Sequence, residues 1–302
     1  MVDIVMDGVL CVNKPEGFTS FDVIAKLRGI LKMKKLGHSG TLDPMATGVL
    51  PVFLGKGTKA ISFLPDHDKE YRASFQLGLE TDTLDCTGTT LKQHQEKATY
   101  PEVKEALGAF MGEHWQLPPM YSAVKKDGVP LYRLAREGKT IERSPRRISI
   151  YQLALLSFDE DTQKGSFSVS CSAGTYVRSL CDDLGKALGT GGILTGLVRT
   201  KACGFSLNDS LTLEQIETFC REGTINSHVV PVHTLFSGLP ALRLSGKMER
   251  MFSNGVPLEL SEVPNFSGRA AVYGTEMFLG LASERQGKLR VDKLFMEALS
   301  EG

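Results

Sequence analysis

From Tyr71 to Leu79 the residues alternate, with Tyr71, Ala73, Phe75, Leu77 and Leu79 on one side and Arg72, Ser74 and Gln76 on the other. A period of two with one apolar face describes a strand whose inner side needs covering. The pattern returns over Ser166–Cys171, where Phe167, Val169 and Cys171 alternate with three serines. Amphipathic helices to cover them are also encoded: Val23, Ile24, Leu27, Ile30 and Leu31 fall on one helical face, and Val177, Leu180, Leu184 and Leu188 on another. Thr19 or Ser20, Thr99-x-x-Glu102 and Thr212-Leu213-Glu214-Gln215 supply helix starts. Further apolar runs at Gly8–Val12 and Val49–Leu54 read as strands, the first delivering Asn13–Gly17 as a turn; Gly55–Thr58 leads into a short helix through Ile61, Phe63 and Leu64.

Between these elements lies Gly37-His-Ser-Gly-Thr-Leu-Asp-Pro-Met-Ala-Thr-Gly-Val-Leu50. Its glycines permit close backbone approaches, and Pro44 keeps Asp43 out of the helical region, so one carboxylate stands on a stiff, extended loop. Such an aspartate either caps its own turn or serves as a reactive group. A phosphate-loop reading of the nearby Gly55-Lys56-Gly57-Thr58 fails on spacing, because Gly48 lies too far upstream, and this disfavours a nucleoside triphosphatase.

Acidic and basic residues balance at 35 each, yet the charge is segregated. Lys26, Arg28, Lys32, Lys34 and Lys35 precede the Asp43 loop without an acid among them, and Lys125–Arg147 carries eight basic against three acidic residues. Two basic clusters near one candidate site suit a phosphate backbone. The six cysteines are scattered without a Cys-x-x-Cys pair, which argues against a zinc site or a disulfide framework and for reduced, mostly buried thiols. No apolar run approaches a membrane span and the N-terminus lacks signal-peptide character, so a cytoplasmic protein is expected.

The Gly37–Leu50 string resembles the catalytic motif of the TruB family of tRNA pseudouridine-55 synthases, in which the aspartate at the position of Asp43 is the nucleophile. Four further segments resemble the same family, in family order. Asn13-Lys14-Pro15 resembles an N-terminal motif that braces the active site. Lys69-Glu-Tyr71 followed by Leu-Gly-x-x-Thr-Asp-Thr-x-Asp-x-x-Gly88 resembles the motif whose tyrosine stacks on the target uracil; Asp82 and Asp85 read there as loop caps. Gly174-Thr-Tyr176-x-Arg178 resembles the motif that provides a second tyrosine and an arginine paired with the aspartate. Leu197-Val198-Arg199-Thr200 resembles Leu-Arg-Arg-Thr, whose leucine packs on the base, with Val198 in place of the first arginine. The Pro-restrained arm Gln116–Lys125 and the short helix Leu131–Glu137 also resemble a segment the family uses against RNA.

The resemblance implies isomerisation of uridine 55 in the T-loop of tRNA, without cofactor or metal. Asp43 is then the catalytic residue, and Tyr71, Tyr176, Arg178, Leu197, His38, Lys14 and Pro15 are substrate-site residues, His38 filling the vacated stack or contacting phosphate. The expected fold is α+β: a pseudouridine synthase catalytic domain over residues 1–238, with a central mixed, largely antiparallel sheet and packed helices, followed by a small β-rich PUA-like RNA-binding domain over 239–302. The expected partner is the tRNA T-arm, bound by a monomer that needs neither membrane nor protein partner. Rival readings are a catalytically silent RNA-binding protein or tRNA-folding chaperone on this fold, a hydrolase using paired carboxylates, and a guide-directed ribosomal-RNA synthase.

Overall fold

The computed structural model describes residues 6–122, 124–139, 141–263 and 266–299. A nine-stranded mixed sheet organises the chain as far as Ser206. Across it the strands run Gly8–Lys14, Thr47–Leu54, Gly192–Ala202, Lys69–Leu77, Lys164–Cys171, Arg146–Asp159 and Gly112–Gln116, with Leu36–His38 and Phe205–Ser206 attached at the side. Every pairing is antiparallel except that of Thr47–Leu54 with Gly192–Ala202. At that parallel contact Gly48 lies at φ +102°, and a Cβ there would collide with the carbonyl of Arg199.

The helices are α1 (Ser20–Leu31), α2 (Tyr100–Gly108), α3 (Leu131–Arg136), α4 (Val177–Leu188), α5 (Leu213–Glu222) and α6 (Gly246–Ser253). Their starts follow the capping logic: Thr19 with Asp22, Thr99 with Glu102 and Thr212 with Gln215 form capping boxes. Helices α1 and α5 cover Leu10, Val12, Leu50 and Val52 on one face of the first two strands, while Val9, Cys11, Val49 and Phe53 on the other face join a second cluster. Burial on both faces explains why these strands read as unbroken apolar runs. Helices α2 and α4 cover Tyr71, Ala73, Phe75, Phe167 and Val169, whereas Arg72, Ser74, Ser166, Ser168 and Ser170 are not buried, which produces the alternation.

A second sheet orders Ala241–Arg243, Arg269–Tyr273, Met277–Arg285, Lys288–Ala298 and Leu258–Glu259. Its Phe278 and Phe295 stack with centroids 5.5 Å apart, and Phe278 stacks on Phe236 at 6.0 Å, so this sheet packs on the back of the first.

Several details correct the sequence expectations. Asn13 and Lys14 continue the first strand rather than forming a turn. Leu79 leaves the alternation because Gly78, at φ +93°, ends the strand. The segment through Ile61 is a 3-10 helix. The long strand Arg146–Asp159 has no legible period, since bulges between Ile150 and Gln152 and between Leu155 and Ser157 twice exchange its faces. The apolar stretches Met277–Ala282 and Lys288–Val291, which the sequence reads as strands, extend to Arg285 and Ala298. Of the cysteines, all free, four are buried, Cys220 is half-buried and Cys86 is exposed.

Candidate active site

The loop carrying Asp43 is tied down before Asp43 meets any partner. Ser20 Oγ, at the start of α1, accepts from Leu42 N at 2.9 Å and lies 3.3 Å from Leu42 O. Gly17 N donates to Pro44 O at 2.9 Å, and Ala46 N closes the turn onto Asp43 O at 3.0 Å. Lys14 Nζ reaches the same turn, donating to Pro15 O, Phe18 O and Pro44 O. Lys14 is fully buried. Its three carbonyl acceptors offset part of the cost of enclosing an ammonium, and burial still pushes its pKa down to about 8 against the pull of Asp43.

Arg178, in the first turn of α4, approaches Asp43 with Nε at 3.0 Å from Oδ2 and Nη2 at 3.3 Å from Oδ1. Its fork is held from behind: Nη2 donates to Tyr121 O at 2.7 Å, Nη1 to Thr83 O at 3.1 Å, and Nη1 lies 3.6 Å from Asp85 Oδ2. A guanidinium so oriented fixes the direction of the carboxylate it pairs with. The Arg178 side chain is buried, whereas that of Asp43 is 37 % exposed. Desolvation raises the Asp43 pKa above the usual carboxylate range; Arg178 and Lys14 pull it down, and Asp85 pushes it up.

Asp43 opens on a cavity of about 260 Å³ whose lining includes Tyr71, Tyr176, Arg178, Leu197, Lys69 and Ser122. Tyr71 faces Arg199 across the sheet, and Leu197 is paired with Ala73, so Tyr71 and Leu197 are diagonal neighbours on adjacent strands. Burial lifts the Tyr71 phenol to about 12, with Arg199 opposing, so the ring enters the cavity as a neutral phenol. Tyr176 is the N-cap residue of α4, and its peptide is bracketed by the buried amide of Gln116, which accepts from Tyr176 N at 2.8 Å and donates to Tyr176 O at 3.1 Å. Among the described residues Ser122 Oγ and Thr175 Oγ1 are buried without hydrogen-bond partners, and both residues line the cavity. Groups left unpaired there are available to a polar ligand.

Five of the sequence-named residues, Asp43, Tyr71, Tyr176, Arg178 and Leu197, thus converge on one cavity. Lys14 and Pro15 lie behind it and act through the Asp43 turn. His38 is paired with Val52 in a short strand outside the cavity lining, and its Nδ1 is buried without a partner among the described residues. Burial and Arg199 lower its pKa, which favours the neutral ring.

Sequence reasoning missed four residues. Asp85 does cap its loop, accepting from Thr83 Oγ1 and Thr87 N, but it also faces Arg178. Gln116 opens the arm named from the resemblance, but nothing local marked its amide as the clamp on Tyr176. Arg199 is fully buried, donating to Val49 O at 2.7 Å and Gly40 O at 3.0 Å; its spacing of two from Leu197 on a strand was the available clue. Lys69 approaches the same spot: a Cβ on Gly40, at φ +77°, would lie 3.0 Å from Lys69 Cε and 3.2 Å from Arg199 Nη1.

Residues 28–177 match the model of the TruB family pseudouridylate synthase N-terminal domain, and residues 178–237 that of the tRNA pseudouridylate synthase B C-terminal domain. The chain is 40% identical to the tRNA pseudouridine synthase B of Clostridium tetani over 295 residues, covering 96% of this chain and 100% of that one. It is 41% identical over 275 residues to the enzyme of the same name from Geobacter sulfurreducens, covering 91% and 90%. Among solved structures, a chain of the archaeal box H/ACA sRNP Nop10-Cbf5 complex superposes with TM-score 0.73 at 23% identity, covering 97% of this chain and 87% of that one, which establishes likeness of fold.

Proposed function

The chain belongs to the TruB family of pseudouridylate synthases, and on that premise we propose that it isomerises uridine to pseudouridine in tRNA, at position 55 of the T-loop. The observation that carries the reading is the paired, oriented carboxylate of Asp43 facing a nucleotide-sized cavity beside the rings of Tyr71 and Tyr176. The target base is stacked inside an RNA loop, so it must be flipped out, at a cost of a few kcal/mol. Tyr71 and Leu197 then sandwich the uracil, and Ser122 and Thr175 meet its polar edge or the ribose.

In this reading Asp43 is the nucleophile, attacking C1′ of the ribose or C6 of the base. The N1–C1′ bond breaks, the uracil turns, and a C5–C1′ bond forms. The C5 proton leaves to solvent through Tyr71, N1 gains a proton, and the aspartate is released. The reaction is redox-neutral and calls for no cofactor. Arg178 keeps Asp43 ionised and aimed, and Lys14 holds the turn that presents it.

The site-residue roles come with an organisation: a catalytic domain over residues 1–238 and a PUA-like RNA-binding module over 239–302, working as a cytoplasmic monomer. No helix among the described residues is long and apolar enough to cross a membrane. The test is an unmodified tRNA transcript labelled with tritium at uridine C5, incubated with the protein alone, followed by mapping of the product. Stoichiometric release with pseudouridine at the T-loop uridine is expected; binding without release would instead support a tRNA-folding chaperone.

A further inference from the structure

Two cations line the cavity beside Asp43, and only one of them is balanced. Arg178 is met by the carboxylates of Asp43 and Asp85. Lys69, half-buried at the start of the strand Lys69–Leu77, has no carboxylate within ion-pair distance among the described residues. The acids beside it in the chain are engaged elsewhere: Glu70, on the other face of the strand, pairs with Lys201 at 3.4 Å, and Asp68 accepts from the Tyr151 hydroxyl at 3.3 Å. Among the described residues Asp43 is the one acid in the cavity wall, and it is taken by Arg178.

A second uncompensated cation stands behind the wall. Arg199 pairs with Tyr71 across the sheet, so it shares the face of Lys69 and Tyr71. Among the described residues no carboxylate meets its fully buried guanidinium, and Nη1 lacks a hydrogen-bond partner. Gly40, in the cavity wall, touches both cations: a Cβ there would lie 3.0 Å from Lys69 Cε and 3.2 Å from Arg199 Nη1. Burial first, and then Arg199, lowers the Lys69 pKa, as expected of an ammonium enclosed beside a like charge. Two enclosed like charges are unfavourable unless an anion joins them. The Lys69 ammonium has the donors to take one, since Nζ donates to His67 O at 2.7 Å and carries two further N–H groups.

We propose that Lys69, backed by Arg199 behind Gly40, is the binding site for a backbone phosphate flanking the target uridine. The proposal rests on the function given above and names the contact that holds the nucleotide's charged end at the cavity. Uracil and ribose are neutral, so the phosphates on the 5′ and 3′ sides of the flipped nucleotide are the anions it brings. Lysine binds phosphate as a compact point charge on a flexible stem, with no fixed approach angle. A side chain on Gly40 would crowd both cations. Arg199 does not touch the RNA; its charge adds to the attraction from within the wall. The cavity thus divides its cations by task, Arg178 serving the carboxylate and Lys69 the backbone of the substrate.

The test crosses a charge on the protein with a charge on the RNA. A synthetic T-arm stem-loop is prepared with every phosphate ionised, or with one neutral methylphosphonate linkage on the 5′ or the 3′ side of the target uridine, and its Kd is measured for wild type and for Lys69→Met. Isomerisation leaves the phosphates unchanged, so turnover during the titration does not disturb the reading. Lys69→Met should weaken binding of the all-phosphate RNA about ten-fold and reduce the salt dependence of log Kd by a slope of about one. One of the neutral linkages should weaken wild-type binding to a similar extent, and on that RNA Lys69→Met should lose nothing more; the linkage that behaves so identifies the phosphate. Wild-type affinity unchanged by both neutral linkages overturns the site, whatever Lys69→Met does to the fold. So do an unaltered affinity in Lys69→Met and losses that add in full on both neutral RNAs. Absence of tritium release by wild type from the all-phosphate RNA strikes the proposed function instead, and is told apart because the binding cycle is read without it.

Discussion

Two aspartate–arginine clusters, one in the second sheet and one at the cavity, are built on opposite ratios. In the second sheet Asp292, 1% exposed, receives Arg269 Nε at 3.2 Å, Arg285 and the hydroxyl of Ser283, so one carboxylate is served by two guanidinium groups and a hydroxyl. Around the cavity two carboxylates, Asp43 and Asp85, converge on one guanidinium, that of Arg178. The first cluster is saturated; Arg269 even lays its guanidinium over the Phe63 ring at 5.3 Å. The second is short of guanidinium though not of positive charge, since Lys14 also pulls on Asp43; one of its carboxylates opens on a cavity with its pKa raised, chiefly by desolvation. Saturation locks three strands together, whereas deficit keeps a carboxylate reactive. The difference separates structural charge from chemical charge without reference to any relative.

The largest expected effect breaks the deficit at its reactive member. Asp43→Asn should lower tritium release by at least about a thousand-fold while tRNA binding persists, because a neutral amide cannot serve as nucleophile. Its effect on stability should be nil or favourable. The folded-state pKa of Asp43 lies above its unfolded value, so stability tied to this group is present at low pH and lost as pH rises through the folded pKa; at neutral pH the ionised carboxylate is a burden. A variant that turns over, or one that melts well below wild type, would undo the contrast with Asp292.

Asp292→Asn should do the reverse. Its guanidinium partners are 40% and 60% exposed and can return to water, so the loss is about 1–3 kcal/mol rather than that of a sealed ion pair. Thermal unfolding should register it while kcat stays at the wild-type value. A fall in kcat at full RNA saturation would mean that the second sheet takes part in the chemistry.

How much of this was legible in the sequence follows from how local each signal is. The alternation of Tyr71–Leu77, the capping boxes and the stripe of α4 are local, and they stand where the pattern placed them. Asp43, Tyr71, Tyr176 and Arg178 were named through ordered motifs, since no spacing says that residues 135 positions apart will pair. Lys14 was legible as a motif but not as a buried ammonium, because its acceptors are carbonyls of a turn that exists only after folding. The strand Arg146–Asp159 was hidden by its two bulges. Asp85 looked like a loop cap because it is one; its second role depends on Arg178 arriving from α4.

Asp85 offers the finest test of the deficit. Arg178 keeps its bonds to Thr83 O and Tyr121 O in Asp85→Asn, so the fork stays near Asp43 and kcat should fall only about ten-fold, ~1.4 kcal/mol of transition-state stabilisation. The sharper readout is the pH profile. The nucleophile must be ionised, so kcat/KM falls as pH drops through the Asp43 pKa, which desolvation holds above the usual carboxylate range. The charge of Asp85 raises that pKa further. Its removal therefore favours ionised Asp43 and should move the acid limb to lower pH, even as the maximum rate declines. A limb that stays in place would mean that Asp85 only props Arg178, and one that moves upward would mean that the guanidinium has turned away from Asp43.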